Sequence, residues 1–83
     1  MNVIAEAAVA ILIKGWSQKA VNSTADSVGQ SIETVELTLK KVVSIYDKSV
    51  GSNVTDNYSQ FSEICALCDI SIDDAKDIFT VYK

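Results

Sequence analysis

The stretch Ser31-Ile-Glu-Thr-Val-Glu-Leu-Thr-Leu-Lys-Lys-Val-Val-Ser-Ile-Tyr46 decides the fold. Within it Ile32, Val35, Leu39, Val42 and Tyr46 recur at spacings of three and four. That is the period of one helical face, not the alternation of a strand. Leu37 and Val43 widen the stripe. Ser31 precedes it as an N-cap, and Glu36 and Lys40 form a favourable i,i+4 pair on the outer side. The helix is expected from about Ile32 to Ser49, with Gly51 as its stop.

Two helices are expected upstream. The first runs from about Asn2 to Lys14 and stops at Gly15. It is apolar on nearly every side: a helix of that kind is either central in the core or covered by a partner. Ser17 caps the second, which ends at Gly29. Its Val21, Asn22, Ser23, Thr24, Asp26 and Ser27 all have poor helix propensity, so tertiary packing must hold it. Downstream, residues 51–55 read as a turn, and Thr55 or Asp56 starts a fourth helix. Tyr58, Phe61, Cys65 and Cys68 share one stripe of it, with Ile64 and Leu67 beside. Ser71 with Asp74 opens a fifth helix in the manner of a capping box, with Ile70 and Ala75 as its hydrophobic staple. Ala75, Ile78, Phe79 and Tyr82 face inward. No alternating run bounded by turn residues appears. The fold class is all-α, a single helical domain over residues 1–83 formed as a compact bundle of about five short helices. Ser31-Ile-Glu-Thr and Ser71-Ile-Asp-Asp echo one another; shared capping chemistry accounts for this as well as a duplication would.

Composition narrows the chemistry. The 83 residues hold 7 Lys and no Arg, 11 acidic residues, no His and 2 Cys, with a net charge of −4. Without His there is no histidine base and no imidazole metal ligand. Without Arg there is no bidentate clamp for phosphate or guanine. No catalytic residue, cofactor or metal is assigned. The apolar run Val3–Ile13 is interrupted by Glu6, and a spanning helix needs about 20 residues. It also lacks the basic start of a secretory signal, so a cytoplasmic protein is expected. The Asn-x-Ser/Thr triplets at Asn22, Asn53 and Asn57 then carry no meaning for glycosylation. Cys65-Ala-Leu-Cys68 sits in helical register, mid-helix, and reads as two small apolar residues facing the core. A redox pair would sit at a helix N-terminus, and a zinc site would need two further ligands.

The two helix pairs resemble the helix-turn-helix family. Ala25, Val28, Gly29, Ser31, Val35 and Leu39 stand where that motif puts its small residue, core residue, turn glycine, cap and recognition-helix core. Cys65, Cys68, Asp69, Ile70, Ser71, Ala75 and Ile78 take the same slots in the second pair, with Asp69 in place of glycine. The resemblance covers about 50 residues and implies helix-turn-helix-like corners. It implies DNA binding less well. The second helix of each pair opens on acids, Glu33 and Glu36 in one and Asp73, Asp74 and Asp77 in the other, where phosphates would approach. The segment Val9-Ala-Ile-Leu-Ile-Lys14 followed by Ser17 also resembles the first helix of small T-even phage regulators of the anti-sigma type. That likeness implies a phage protein of transcription takeover acting on a partner protein; in size and character alone the chain also resembles the small cytoplasmic antiholins of lysis control.

The expected function is therefore a small non-enzymatic regulator that binds, and by binding inhibits, a partner protein. The alternative is a helix-turn-helix nucleic-acid-binding transcription regulator, dimerised so that Lys19, Lys40, Lys41 and Lys48 fall on one face. Three candidate contact regions follow. Ile4, Ala8, Ile11 and Leu12 of the first helix would form a partner or homodimer surface. Trp16, at a helix junction, either fills a core gap or, if exposed, anchors an interface. Asp69, Asp73, Asp74 and Asp77 would meet a basic partner: residues 52–83 carry two Lys against six acids, whereas residues 1–51 are balanced.

Overall fold

The structure, a computed structural model, describes the backbone of residues 2–50 and 55–81 and the side chains of residues 2–48 and 58–81. Five helices follow in order: α1 (Val3–Lys14), α2 (Gln18–Val28), α3 (Ile32–Val50), α4 (Thr55–Leu67) and α5 (Ile72–Phe79). No strand occurs among the described residues. The expected Gly51 stop, the following turn and the inward-facing Tyr82 lie outside them.

The caps explain the boundaries. Asn2 Oδ1 accepts from the Ile4 amide at 2.8 Å, Ser17 Oγ from Ala20 at 3.2 Å, Ser31 Oγ from Thr34 at 3.2 Å and Ser71 Oγ from Asp74 at 3.1 Å. Each satisfies one amide that the first turn leaves without an intrahelical acceptor. Two helices end in the same way. Gly29 has φ 71°, and the Gln30 amide reaches back to the Ala25 carbonyl at 3.1 Å. Asp69 has φ 63°, and the Ile70 amide reaches back to the Cys65 carbonyl at 2.8 Å. Both are left-handed caps closed by a bond across six residues. Asp69 is the one non-glycine residue with positive φ among those described. Its place in the glycine slot, read from the second helix pair, is therefore real in backbone terms. Three residues separate α2 from α3 and four separate α4 from α5.

Helix α3 is the axis. It packs against α1, α2 and α4, while α5 packs on α4 and α1. Val35, Leu39, Val42 and Tyr46 are fully buried, as their spacing requires. Ile32, expected inward, is instead 47% exposed, because it stands in the first turn beyond the reach of the neighbouring helices. The Tyr46, Phe61, Phe79 and Tyr58 rings form one cluster where α3, α4 and α5 meet. Tyr46 stands 6.1 Å from Phe61 and 6.0 Å from Phe79, and Tyr58 stands 4.8 Å from Phe79, all edge to face. That geometry sets the positive ring edge on the negative ring face.

Helix α1 settles its own ambiguity. Ile4, Ala5, Ala7, Ala8, Ile11 and Leu12 are buried in the same core as α3. Its small residues let α3 and α5 approach closely, and the exposed apolar positions are Val3 and Ile13. The chain closes on itself through Asn2. The Asn2 amide donates to Asp74 Oδ2 at 2.9 Å, and its side-chain nitrogen donates to the Asp69 carbonyl at 3.1 Å. Asp74 thus uses its carboxylate to hold the start of α1, not to complete the capping box around Ser71.

Candidate functional site

The positions expected to meet a partner separate into three groups. Ile4, Ala8, Ile11 and Leu12 are at most 6% exposed and belong to the chain's own core. Asp69 and Asp74 bind the start of α1, one through its carbonyl and the other through its carboxylate. Asp73 and Asp77 remain exposed one turn apart on α5. Trp16 is 42% exposed, and the Lys40 ammonium lies over its ring at 5.6 Å from the centroid. It covers the flank of α3 with one face and meets solvent with the rest. Lys40 also pairs with Glu36 at 3.9 Å, as the i,i+4 spacing requires.

A concavity among the described residues lies elsewhere, between α3 and the end of α4. It is an open groove of about 740 Å³. Leu37, Lys41 and Ile45 mark the α3 wall; Ile64, Leu67 and Cys68 form the α4 wall. A smaller hollow continues it past Thr34 and Thr38 to Gln30 and Asp69. Two leucines flank the groove in the open: Leu37 is 57% exposed and Leu67 is 87% exposed. Both were expected to widen inward stripes. Leu37 instead stands two residues from both Val35 and Leu39, about 160° around the helix from each. Leu67 has the same relation to Cys65 on α4. That off-stripe spacing was the signal in the sequence that could have marked them.

The cysteine pair sits at a helix C-terminus, not mid-helix. Cys65 is in the last turn of α4, and Cys68 follows its final residue with its amide on the Ile64 carbonyl. Both thiols are free. Burial, with the Cys68 thiol close by, pushes the Cys65 thiol up to about 12. Burial also raises the Cys68 thiol, offset in part by the Thr38 hydroxyl and by Lys41. This is the reverse of what a nucleophilic or redox cysteine needs. Among the described residues, no three Cys, Asp or Glu side chains cluster as metal ligands would. No described helix is long and apolar enough to cross a membrane.

What the arrangement offers is surface: an elongated apolar trough, with lysines as its charged lining and two uncovered leucines at its edges. No protein-family model, characterised protein or solved structure matches the chain.

Proposed function

We propose that this chain is a small non-enzymatic regulator that binds a helical segment of a partner protein in the α3–α4 groove and occludes that segment. The observation that carries this reading is the pair Leu37 and Leu67, largely exposed on either side of one trough. Among the described residues seventeen apolar side chains are buried in a common core and seven large ones are exposed; Leu37 and Leu67 are the two of those seven that line one concavity. Covering both returns about 3 kcal/mol, which only an apolar ligand recovers. An amphipathic helix lying in a groove is the recurrent solution to such a shape. In this reading the protein works in the cytoplasm, where free thiols such as Cys65 and Cys68 persist. The likeness of α1 to small phage regulators makes a bacterial lysate the first source of partner to try.

The test is the Leu37→Asp, Leu67→Asp double variant. Both side chains are exposed, so circular dichroism and thermal midpoint should stay close to those of the parent. Tagged parent protein should retain a stoichiometric partner after nuclease treatment, and the variant should lose it. Retention of the same partner by a folded variant would remove the groove from the mechanism. Capture that disappears on nuclease treatment would assign the chain to the nucleic-acid-binding alternative.

A further inference from the structure

The groove has a length, a polarity and a charge, and together they specify its occupant. Thr34 and Ile45, the ends of the α3 wall, are eleven residues apart, roughly 16 Å along the helix axis. That is the span of a three-turn helix presenting anchors at i, i+3 or i+4, and i+7. The lining is apolar through Ile45, Ile64 and Cys68, with Leu37 and Leu67 at the edges, so the facing stripe must be apolar too. Among the described residues, the ionic side chains lining the groove are Lys40 and Lys41, and no carboxylate lines it. Lys40 is held at the rim by Glu36 and the Trp16 ring, which fixes where its charge lies. Lys41 stands on the α3 wall close enough to Cys68 to act on its thiol. Among the described residues, negative charge stands at two places around the groove: Glu36, paired with Lys40 outside the lining, and Asp69, which lines the continuation at the narrow end. The chain as a whole carries −4, so this trough is a local reversal of its average charge.

We infer that the groove binds an acidic amphipathic helix, with an apolar stripe seated between Leu37 and Leu67 and carboxylates set against Lys40 and Lys41. This rests on the docking function proposed above and adds the chemistry of the docked segment. A basic segment meets two like charges at the rim; an acidic one replaces their hydration with direct pairing. Pairs of this kind at a partly desolvated rim decide between partners more than they add raw affinity. Two of them at about 0.7 kcal/mol each amount to about tenfold in affinity.

The experiment uses the full chain, isotope-labelled, and two stapled helical peptides of about four turns. They share one leucine stripe and differ in their flanks, Glu in one and Lys in the other. The Glu peptide should shift the Leu37, Ile45, Ile64 and Leu67 methyl signals saturably and bind about tenfold tighter than the Lys peptide. The Lys40→Glu, Lys41→Glu variant, changed only at exposed positions, should invert that preference. Groove shifts with equal or opposite preference overturn the charge inference and leave groove docking standing. An absence of groove shifts with either peptide overturns both. Groove shifts that appear on concentrating the protein alone assign the trough to a second copy of this chain and overturn the inference. Displacement of the Glu peptide by a short DNA duplex overturns it in favour of nucleic acid.

Discussion

Asp69 carries the clearest conformational demand on a single side chain. At φ 63° an L residue pays a steric cost that glycine escapes, and a β-branched one pays most. Asp69→Val should therefore lower stability by about 1.5 kcal/mol in urea unfolding, whereas Asp69→Gly should leave it unchanged or raise it by about 0.5 kcal/mol. Cys65 makes a different demand. Its thiol is neutral in the fold up to about 12, while an unfolded chain ionises it near its ordinary value. The unfolded state thus binds fewer protons at alkaline pH. The contribution of Cys65 is intact below about pH 8.5 and is lost as pH rises toward its folded value. Unfolding free energy measured from pH 8 to pH 11 should fall more steeply for the parent than for Cys65→Ala, which starts lower through its small cavity.

Helices α1 and α2 differ in what holds them. In α1 the exposed and buried positions are chemically alike, so exposure alone separates two substitutions of the same kind. Ile11→Asp places a carboxylate in the core and should cost about 4 kcal/mol, enough to erase the helical circular dichroism of so small a domain. Ile13→Asp, at a position 62% exposed, should stay within about 0.5 kcal/mol of the parent. In α2 the buried residues are Val21, Thr24 and Ala25, and much of the rest is poor helix former facing water. Ser23→Ala with Ser27→Ala, both exposed, should raise stability by about 1 kcal/mol and the thermal midpoint by several degrees. The same weakness places α2 among the first helices to open in amide exchange.

The whole molecule depends on one closure. Asn2 caps α1 and joins it to the α4–α5 corner, linking residues 72 positions apart. Asn2→Ala removes the cap on the Ile4 amide and the side-chain bond to the Asp69 carbonyl, keeps the backbone bond to Asp74, and should cost about 2 kcal/mol, or about 10 °C in thermal midpoint. The loss should exceed that of Ser17→Ala, which removes a cap alone and should cost about 1 kcal/mol. This closure draws on the aspartates expected to meet a basic partner. Of the four aspartates grouped by the sequence, Asp74 alone lends its carboxylate to the joint; Asp69 lends a backbone carbonyl, and Asp69, Asp73 and Asp77 are exposed. The Asp74 carboxylate therefore has a structural task beside any role of this acidic corner.

The sequence by itself determined the all-α class, the ends of α1 and α2 at Gly15 and Gly29, the Ser17, Ser31 and Ser71 caps, the Glu36–Lys40 pair and the glycine-like slot at Asp69, but not the end of α4 at the cysteine pair. These rest on bonds within about six residues, so local chemistry contains them. It also determined Val35, Leu39, Val42 and Tyr46 as the α3 core face, since a period of three and four leaves one side to bury, though Ile32 and Leu37, read with them, are exposed. Only the tertiary structure decided which side of α1 is core, because a helix apolar all round has no preferred face. It alone joined Asn2 to Asp74, and it alone set Leu37 of α3 across from Leu67 of α4 over one groove. Contacts between residues so far apart in the chain follow from how the helices pack, and no local pattern records that.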